Sequence, residues 1–249
     1  MAGKDCFKAY DIRGIYPDDI DEDLAYRIGL AFCNVFQPKA VVVGRDVRLS
    51  SESLAESLSR GICDCGADVY DIGLCGTEQV YFSVPYLNAD GGIMVTASHN
   101  PSNYNGMKFV KTGAVPISSD TGLNEIKERV FSSHILSSGH KGRLIRSYTE
   151  EAYAMFLTGI LDAKWQRPLK VVVNPGNGCA GRVIDLIGER LPQIDFVKIN
   201  FEPDGSFPNG VPNPLLKENR TATSQAVIDS HAELGLAWDG DFDRCFCYD

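Results

Sequence analysis

The chain has 249 residues, 44% of them hydrophobic and 23% charged, an ordinary globular composition that excludes a disordered or low-complexity chain. Its formal charge of −9 and sequence pI near 5.0 give no electrostatic footprint for nucleic acid. No run approaches the ~18 uninterrupted apolar residues of a membrane span, and the opening Met1-Ala-Gly-Lys-Asp5 lacks the basic-then-apolar order of a signal peptide, so a cytoplasmic chain with no membrane partner is expected. Small phosphorylated ligands stay within reach of an acidic chain, because a few local cations and backbone amides hold them.

In chain order, Ala40-Val-Val-Val-Gly44 reads as a short buried strand, and Ser50 to Cys65 shows helical spacing, with Leu54, Leu58 and Ile62 on one face. The strands Ala67–Ile72 and Gly92–Thr96 follow, separated by a helical or irregular stretch. A second pass begins near Ser147 with a helix to Leu161. It continues with the strand Leu169–Val173, a helix over 179–191, the strand Ile194–Ile199, a helix over 221–234 and the strand Leu234–Trp238. Both passes run strand, helix, strand, helix, strand, and each third strand opens into a polar loop. This pattern predicts a diverged repeat of two similar three-layer α/β domains with mixed, largely parallel sheets. The joint falls over 132–147, where apolar periodicity lapses, giving domains 1–140 and 141–249. Residues 244–249 still read as a strand at the last residue, so the second domain is expected to be C-terminally incomplete.

Eight cysteines include Cys63-x-Cys65 and Cys245-x-Cys247, neither with the Cys-x-x-Cys spacing of zinc or redox sites. They read as unpaired, mostly buried thiols of a reducing compartment.

In open α/β sheets, ligands collect beyond the carboxyl ends of strands. The first such loop is Thr96-Ala-Ser-His-Asn-Pro101, followed by Asn103-Tyr-Asn-Gly-Met-Lys108. Ser98 with His99 beside it and Lys108 ten residues on could form a nucleophile or phosphate carrier with acid/base support. Residue types alone leave open a Ser/Asn/Pro turn that merely ends a strand. A serine hydrolase lacks support, because the Gly-x-Ser-x-Gly elbow is missing and the residue before Ser98 is Ala97.

The second loop, Asp239-Gly-Asp-Phe-Asp-Arg244, can turn three hard oxygen ligands toward one point, which suits Mg²⁺. An EF-hand would need Gly where Arg244 stands, and a haloacid-dehalogenase-type motif would need Thr or Val where Phe242 and Asp243 stand. Asn174-Pro-Gly-Asn-Gly178 could cradle an anion, but a strand-to-helix turn needs the same residues for steric reasons. Asn219-Arg-Thr221 fits a glycosylation acceptor that a cytoplasmic chain never presents to that machinery.

These loops and the opening Phe7-Lys-Ala-Tyr-Asp-Ile-Arg-Gly14 resemble the α-D-phosphohexomutases, the family of phosphomannomutase and phosphoglucomutase. The hallmarks of that family are a Thr-Ala-Ser-His-Asn-Pro phosphoserine loop and an Asp-Gly-Asp-x-Asp-Arg metal loop. The resemblance runs over the whole chain, and Phe207-Pro-Asn-Gly-Val-Pro-Asn-Pro214 is similar to the phosphomannomutase branch. It implies that Ser98 carries the phosphoryl group, that Asp239, Asp241, Asp243 and an oxygen on Ser98 hold Mg²⁺, and that the two loops meet across the domains. It further implies acid/base or phosphate-positioning roles for Lys108 and His99, a place in the site for Tyr10 and Arg13, and a phosphate or aspartate contact for Arg244. A guanidinium fork such as that of Arg13 matches phosphate oxygens well.

The implied reaction interconverts hexose 1- and 6-phosphates, of mannose or glucose, through a hexose 1,6-bisphosphate that also serves as activator. The family's third-domain Glu-x-Ser-x-His loop and fourth-domain phosphate loop do not occur in this chain. It is therefore expected to be the N-terminal half of such an enzyme and inactive or weakly active alone. A Mg²⁺-dependent sugar-phosphate phosphatase and a non-catalytic phosphosugar-binding module stand as alternatives.

Overall fold

A computed structural model of the chain describes residues 3–132, 137, 139–161 and 167–249. The first half holds β1 (Ile12–Ile15), α1 (Glu22–Phe36), β2 (Ala40–Arg45), α2 (Ser51–Asp64), β3 (Asp68–Leu74), α3 (Thr77–Tyr86) and β4 (Gly91–Val95). It continues with β5 (Tyr104–Lys111), β6 (Val115–Pro116), α4 (Leu123–Val130) and β7 (Leu144–Arg146). The second half holds α5 (Glu150–Gly159), β8 (Leu169–Asn174), α6 (Gly181–Arg190), β9 (Ile194–Lys198), α7 (Thr221–Ser230), β10 (Leu234–Trp238) and β11 (Cys245–Tyr248).

Among the described residues the first sheet has the strand order β1-β5-β4-β2-β3-β7, with β6 hydrogen-bonded to β5, and the second has the order β11-β10-β8-β9. The expected repeat is visible in the topology. β2 is flanked by parallel β3 and β4, and β4 by antiparallel β5; β8 is flanked by parallel β9 and β10, and β10 by antiparallel β11. Each half is thus a mixed, largely parallel sheet between helices.

Burial follows from strand periodicity, because successive side chains leave opposite faces. Val41 and Val43 of β2 face a core shared with Leu24, Ile28, Phe32, Leu54, Leu58 and Ile126 of α1, α2 and α4, whereas Val42 faces Val80 and Val84 of α3. A third core joins the two halves: Val171, Val173, Val183 and Ile184 pack with Phe242, and Val47 and Phe82 of the first half lie against them. No helix among the described residues is long and apolar enough to cross a membrane.

The helices are cut by local chemistry. Asp21 caps α1, its carboxylate accepting from Leu24 N at 2.8 Å, and Gln37 closes the helix in the left-handed region. The helix expected over 221–234 stops at Ser230, because His231 turns left-handed at φ 51°. The helix expected over 147–161 spans Glu150–Gly159. The first sheet reaches past the division expected at 140/141, since β7 pairs parallel with β3. Residues 133–136 and 138 of the expected joint lie outside the described residues.

On the outer face of the first sheet, α1 and α2 touch backbone to backbone. A Cβ on Gly29 would lie 2.3 Å from Leu58 O, and one on Gly61 2.1 Å from Tyr26 O, so only glycine permits this approach.

Candidate functional site

Two loops build the site, and they occupy equivalent places in the repeat: residues 96–103 follow β4, and residues 239–244 follow β10. In the first, Thr96 Oγ1 accepts from Ser98 N at 2.8 Å and donates to Asp46 Oδ2 at 2.8 Å. Ser98 is buried and left-handed at φ 52°, a conformation that costs a non-glycine residue about 1–2 kcal/mol and must be held by its surroundings.

Arg48 supplies that hold. Its side chain is fully buried and all five N–H groups are used. Nε donates to Asp46 Oδ2 at 3.2 Å, Nη1 to the carbonyls of Pro101 (2.6 Å) and Tyr104 (2.9 Å), and Nη2 to those of Ser98 (3.0 Å) and Asn100 (2.7 Å). One guanidinium therefore fixes three carbonyls of the serine loop and that of Tyr104, the first residue of β5. Asp46 is anchored in turn by Ser51 Oγ at 2.5 Å and by Arg48 N at 3.0 Å. Burial pushes the Asp46 carboxyl above its ordinary value, with the Arg48 charge working against that rise.

In the second loop, Phe242 turns left-handed at φ 46° and sinks its ring into the core between the halves, while its N–H donates to Asp239 O at 3.1 Å. The turn points one oxygen of each of Asp239, Asp241 and Asp243 to within 4.8 Å of the others. Ser98 Oγ donates to Asp239 Oδ2 at 2.6 Å, joining the loops. Beside this contact there is no room for a side chain at residue 240, since a Cβ on Gly240 would lie 2.8 Å from Ser98 O.

Cations surround the carboxylates unevenly. Lys108, from β5, donates through Nζ to Asp241 Oδ2 at 2.7 Å and to Asp243 Oδ2 at 2.6 Å. Thr77, at the start of α3, donates through Oγ1 to Asp241 Oδ2 at 2.6 Å. Arg244 donates through Nη2 to Ser98 Oγ and Asp239 Oδ2, touches His99 Nδ1, and reaches Asp239 Oδ2 through Nε at 3.0 Å. His99 Nδ1 lies 3.3 Å from Ser98 Oγ.

Charge states follow from these contacts. Burial, and then the Asp241 charge, push Asp239 up to about 6. Burial opposes charge on Asp241 and Lys108 alike, but their mutual attraction outweighs it, holding the carboxyl low and the ammonium high. Burial, then the charges of Arg244 and Arg13, hold His99 below its usual value, so at neutral pH it is an uncharged ring.

The structure thus brings Ser98, His99, Lys108, Asp239, Asp241, Asp243 and Arg244 into one cluster. Arg13 stands at its edge, with Nη1 donating to Asn100 Oδ1 at 2.6 Å and Nη2 to Asp11 Oδ2 at 2.5 Å. Tyr10 is 78% exposed, and among the described residues none of the cluster's hydrogen bonds reaches it.

The pattern of phosphoglucomutase/phosphomannomutase alpha/beta/alpha domain I matches residues 4–135, and that of domain II matches residues 146–249. The chain belongs to the phosphoglucomutase/phosphomannomutase family. It is 53% identical over 244 residues to a protein named phosphohexose mutases from Xanthomonas campestris pv. campestris, covering 98% of this chain and 54% of the relative. A phosphomannomutase of Escherichia coli is 51% identical over 251 residues, with 98% and 55% covered. A Burkholderia thailandensis phosphoglucomutase/phosphomannomutase family protein of known structure superposes with a TM-score of 0.91 at 34% identity, over 99% of this chain and 55% of its own. The chain spans about half the length of the relatives it matches.

This member of the phosphoglucomutase/phosphomannomutase family has the donor set for a hard divalent cation. Asp241 Oδ1 and Asp243 Oδ1 are buried with no hydrogen-bond partner among the described residues. Carboxylate oxygens left bare inside a protein are costly, and three carboxylates converging on one point offer the oxygen ligands that Mg²⁺ prefers. Reading the sequence did not single out Asp46, Arg48, Thr77 or Asn100. Asp46-Val-Arg48 had one usable signal, two opposite charges beside a buried strand. Thr77 had none, because its place depends on how the halves dock.

Proposed function

We propose that this chain is the phosphoryl-carrying and cation-holding half of a phosphohexomutase acting on hexose 1- and 6-phosphates, mannose phosphates ahead of glucose phosphates. The observation that carries the reading is the contact of Ser98 Oγ with Asp239 Oδ2 beside two further carboxylates with unmet oxygens. Relatives at 51% and 49% identity that are named phosphomannomutase support the mannose preference.

In this reading phospho-Ser98 gives its phosphoryl group to the free hydroxyl of a hexose monophosphate. A P–O bond to the sugar forms as the bond to Ser98 Oγ breaks, while the sugar hydroxyl gives up its proton and Ser98 Oγ takes one up. The hexose 1,6-bisphosphate turns over, and its other phosphate returns to Ser98 Oγ. Asp239, Asp241, Asp243 and an oxygen of phosphorylated Ser98 would hold Mg²⁺, which would supply charge neutralisation at the transferring group.

The protein groups divide the remaining work. Arg244 Nη2 sits at Ser98 Oγ, where a guanidinium can hold phosphate oxygens in both parts of the cycle. Arg48 fixes the carbonyls around Ser98 and so the direction of attack. His99, uncharged at neutral pH, can take a proton near Ser98 Oγ. Lys108 keeps its proton while Asp241 and Asp243 face it, and can donate one. Arg13 and Tyr10 remain for the sugar phosphate at the mouth.

The test is intact mass of the purified chain beside Ser98→Ala, before and after incubation with a hexose 1,6-bisphosphate and Mg²⁺. One added phosphoryl group that the variant lacks is expected. No phosphoryl group in either protein under any condition would remove Ser98 as the carrier. Phosphate release that survives Ser98→Ala and vanishes in Asp239→Asn would favour a phosphatase.

A further inference from the structure

Far from the two loops, the outer helices of the first sheet hold a matched pair of thiols. The close approach at Gly29 and Gly61 recurs in sequence as Gly29-Leu-Ala-Phe-Cys33 and Gly61-Ile-Cys-Asp-Cys65, each cysteine four residues beyond its glycine. Because α1 and α2 run in the same direction from this contact, one further turn carries Cys33 and Cys65 to opposing places. The contacts are reciprocal. Cys33 Sγ lies 3.9 Å from Ile62 O on the turn that leads to Cys65, and Cys65 Sγ lies 3.6 Å from Leu30 O on the turn that leads to Cys33. Asn34 Nδ2 donates to Cys65 Sγ at 3.4 Å. Both cysteines are reduced; Cys33 is buried and Cys65 is partly exposed at the C-terminal end of α2.

We propose that Cys33 and Cys65 form a hydroperoxide-reactive dithiol that closes a disulfide between α1 and the end of α2. Cys65 is the attacking sulfur, since solvent reaches it and two hydrogen bonds, from Cys33 and from Asn34, favour its thiolate and hold it below the ordinary thiol range against the pull of burial. Cys33 is the resolving sulfur, kept as a thiol by its hydrogen bond to Cys65 and by burial.

In the first step Cys65 sulfur attacks one peroxide oxygen. The O–O bond breaks, an S–O bond forms, and the departing hydroxide takes the former Cys65 proton and leaves as water. In the second, Cys33 sulfur attacks the sulfenic sulfur of Cys65. The S–O bond breaks, and hydroxide leaves as water with the Cys33 proton. The two thiols lose two electrons, and the peroxide gains them. Cys63 is a natural competitor, since it is two residues from Cys65 and also partly exposed, but burial raises its thiol above the ordinary range.

The test treats the reduced 249-residue chain with stoichiometric hydrogen peroxide at mildly alkaline pH, blocks the remaining thiols, digests without reductant and maps the peptides by mass. The expected result is a cross-linked pair containing Cys33 and Cys65, two hydrogens lighter than the separate peptides, absent from Cys65→Ser. A bridge from Cys33 to Cys63, a bridge confined to Cys245 and Cys247, over-oxidised Cys65 beside an alkylated Cys33, or no bridge at all would each overturn the proposal. The wild-type map decides the matter by itself should Cys65→Ser fail to fold.

Discussion

Ser98 Oγ and Asp239 Oδ2, 141 residues apart in the chain, are hydrogen-bonded at 2.6 Å. The serine comes from one sheet and the aspartate from the other, so the docking of the halves and the assembly of the site are one event. Phe242, next to Asp241 and two residues from Arg244, is a pillar of that docking core.

Gly240→Ala should disturb the junction directly. The new methyl would stand 2.8 Å from Ser98 O, closer than backbone tolerates, and overpacking of this kind costs about 1–3 kcal/mol. Denaturant unfolding should show that loss, and phosphoryl uptake at Ser98 should fall, because the serine and aspartate loops can no longer both keep their places.

Replacing Arg48 by Met should destabilise the chain by about 3–5 kcal/mol, the usual result of removing one partner of a buried ion pair. Asp46 would keep its burial and lose its counter-charge, and three carbonyls of the serine loop and that of Tyr104 would lose their donors. Urea unfolding measures the first effect. Loss of phosphoryl uptake in protein that is still folded measures the second.

Lys108→Met separates the two cations that Asp241 and Asp243 can share. Without the ammonium, Arg244 is the one cation left in ion-pair contact with the three carboxylates among the described residues, so the melting temperature without metal should fall. Mg²⁺ should then raise it by more than in the parent chain, because a cation that binds only the folded state adds about 2.7 kcal/mol at a hundred times its dissociation constant. Melting curves with and without Mg²⁺ check both halves of this prediction, and Asp241→Asn should abolish the Mg²⁺ response.

Glu22 gives a pH signature away from the site. Hydroxyl donors Ser53 and Tyr16, the latter at 2.8 Å, hold its carboxyl below the ordinary 4.5. A carboxyl depressed in the folded state stabilises above its ordinary value and loses that contribution as pH falls through the folded one. Solvent screening limits the effect to a few tenths of a kcal/mol. Glu22→Gln should therefore narrow the stability difference between neutral pH and pH near 4, read from urea midpoints.

The sequence shows the strands and the two loops because their signals are local. Valine runs, serine between threonine and histidine, and alternating aspartates keep their meaning wherever the chain goes. Helix α1 carries a comparable signal, Asp21 followed by Leu24, Ile28, Ala31 and Phe32, and goes unread only beside the stronger valine strand that follows. Arg48 and Thr77 are different, since each acts on backbone or carboxylate from a distant segment, and no spacing along the chain encodes that approach. Tyr10 shows the reverse: a motif neighbour of Arg13 whose side chain faces solvent.

The recurring strand order also has a geometric meaning. Val95 and Trp238 end equivalent strands of two copies of one unit, so Ser98 and Asp239 are near-counterparts under an internal pseudo-symmetry. One copy of the loop presents a hydroxyl and its twin presents the anions. A single architecture, used twice and set face to face, thereby obtains two chemically opposite lips for one cleft, and change in either lip can proceed without redesigning the scaffold beneath the other.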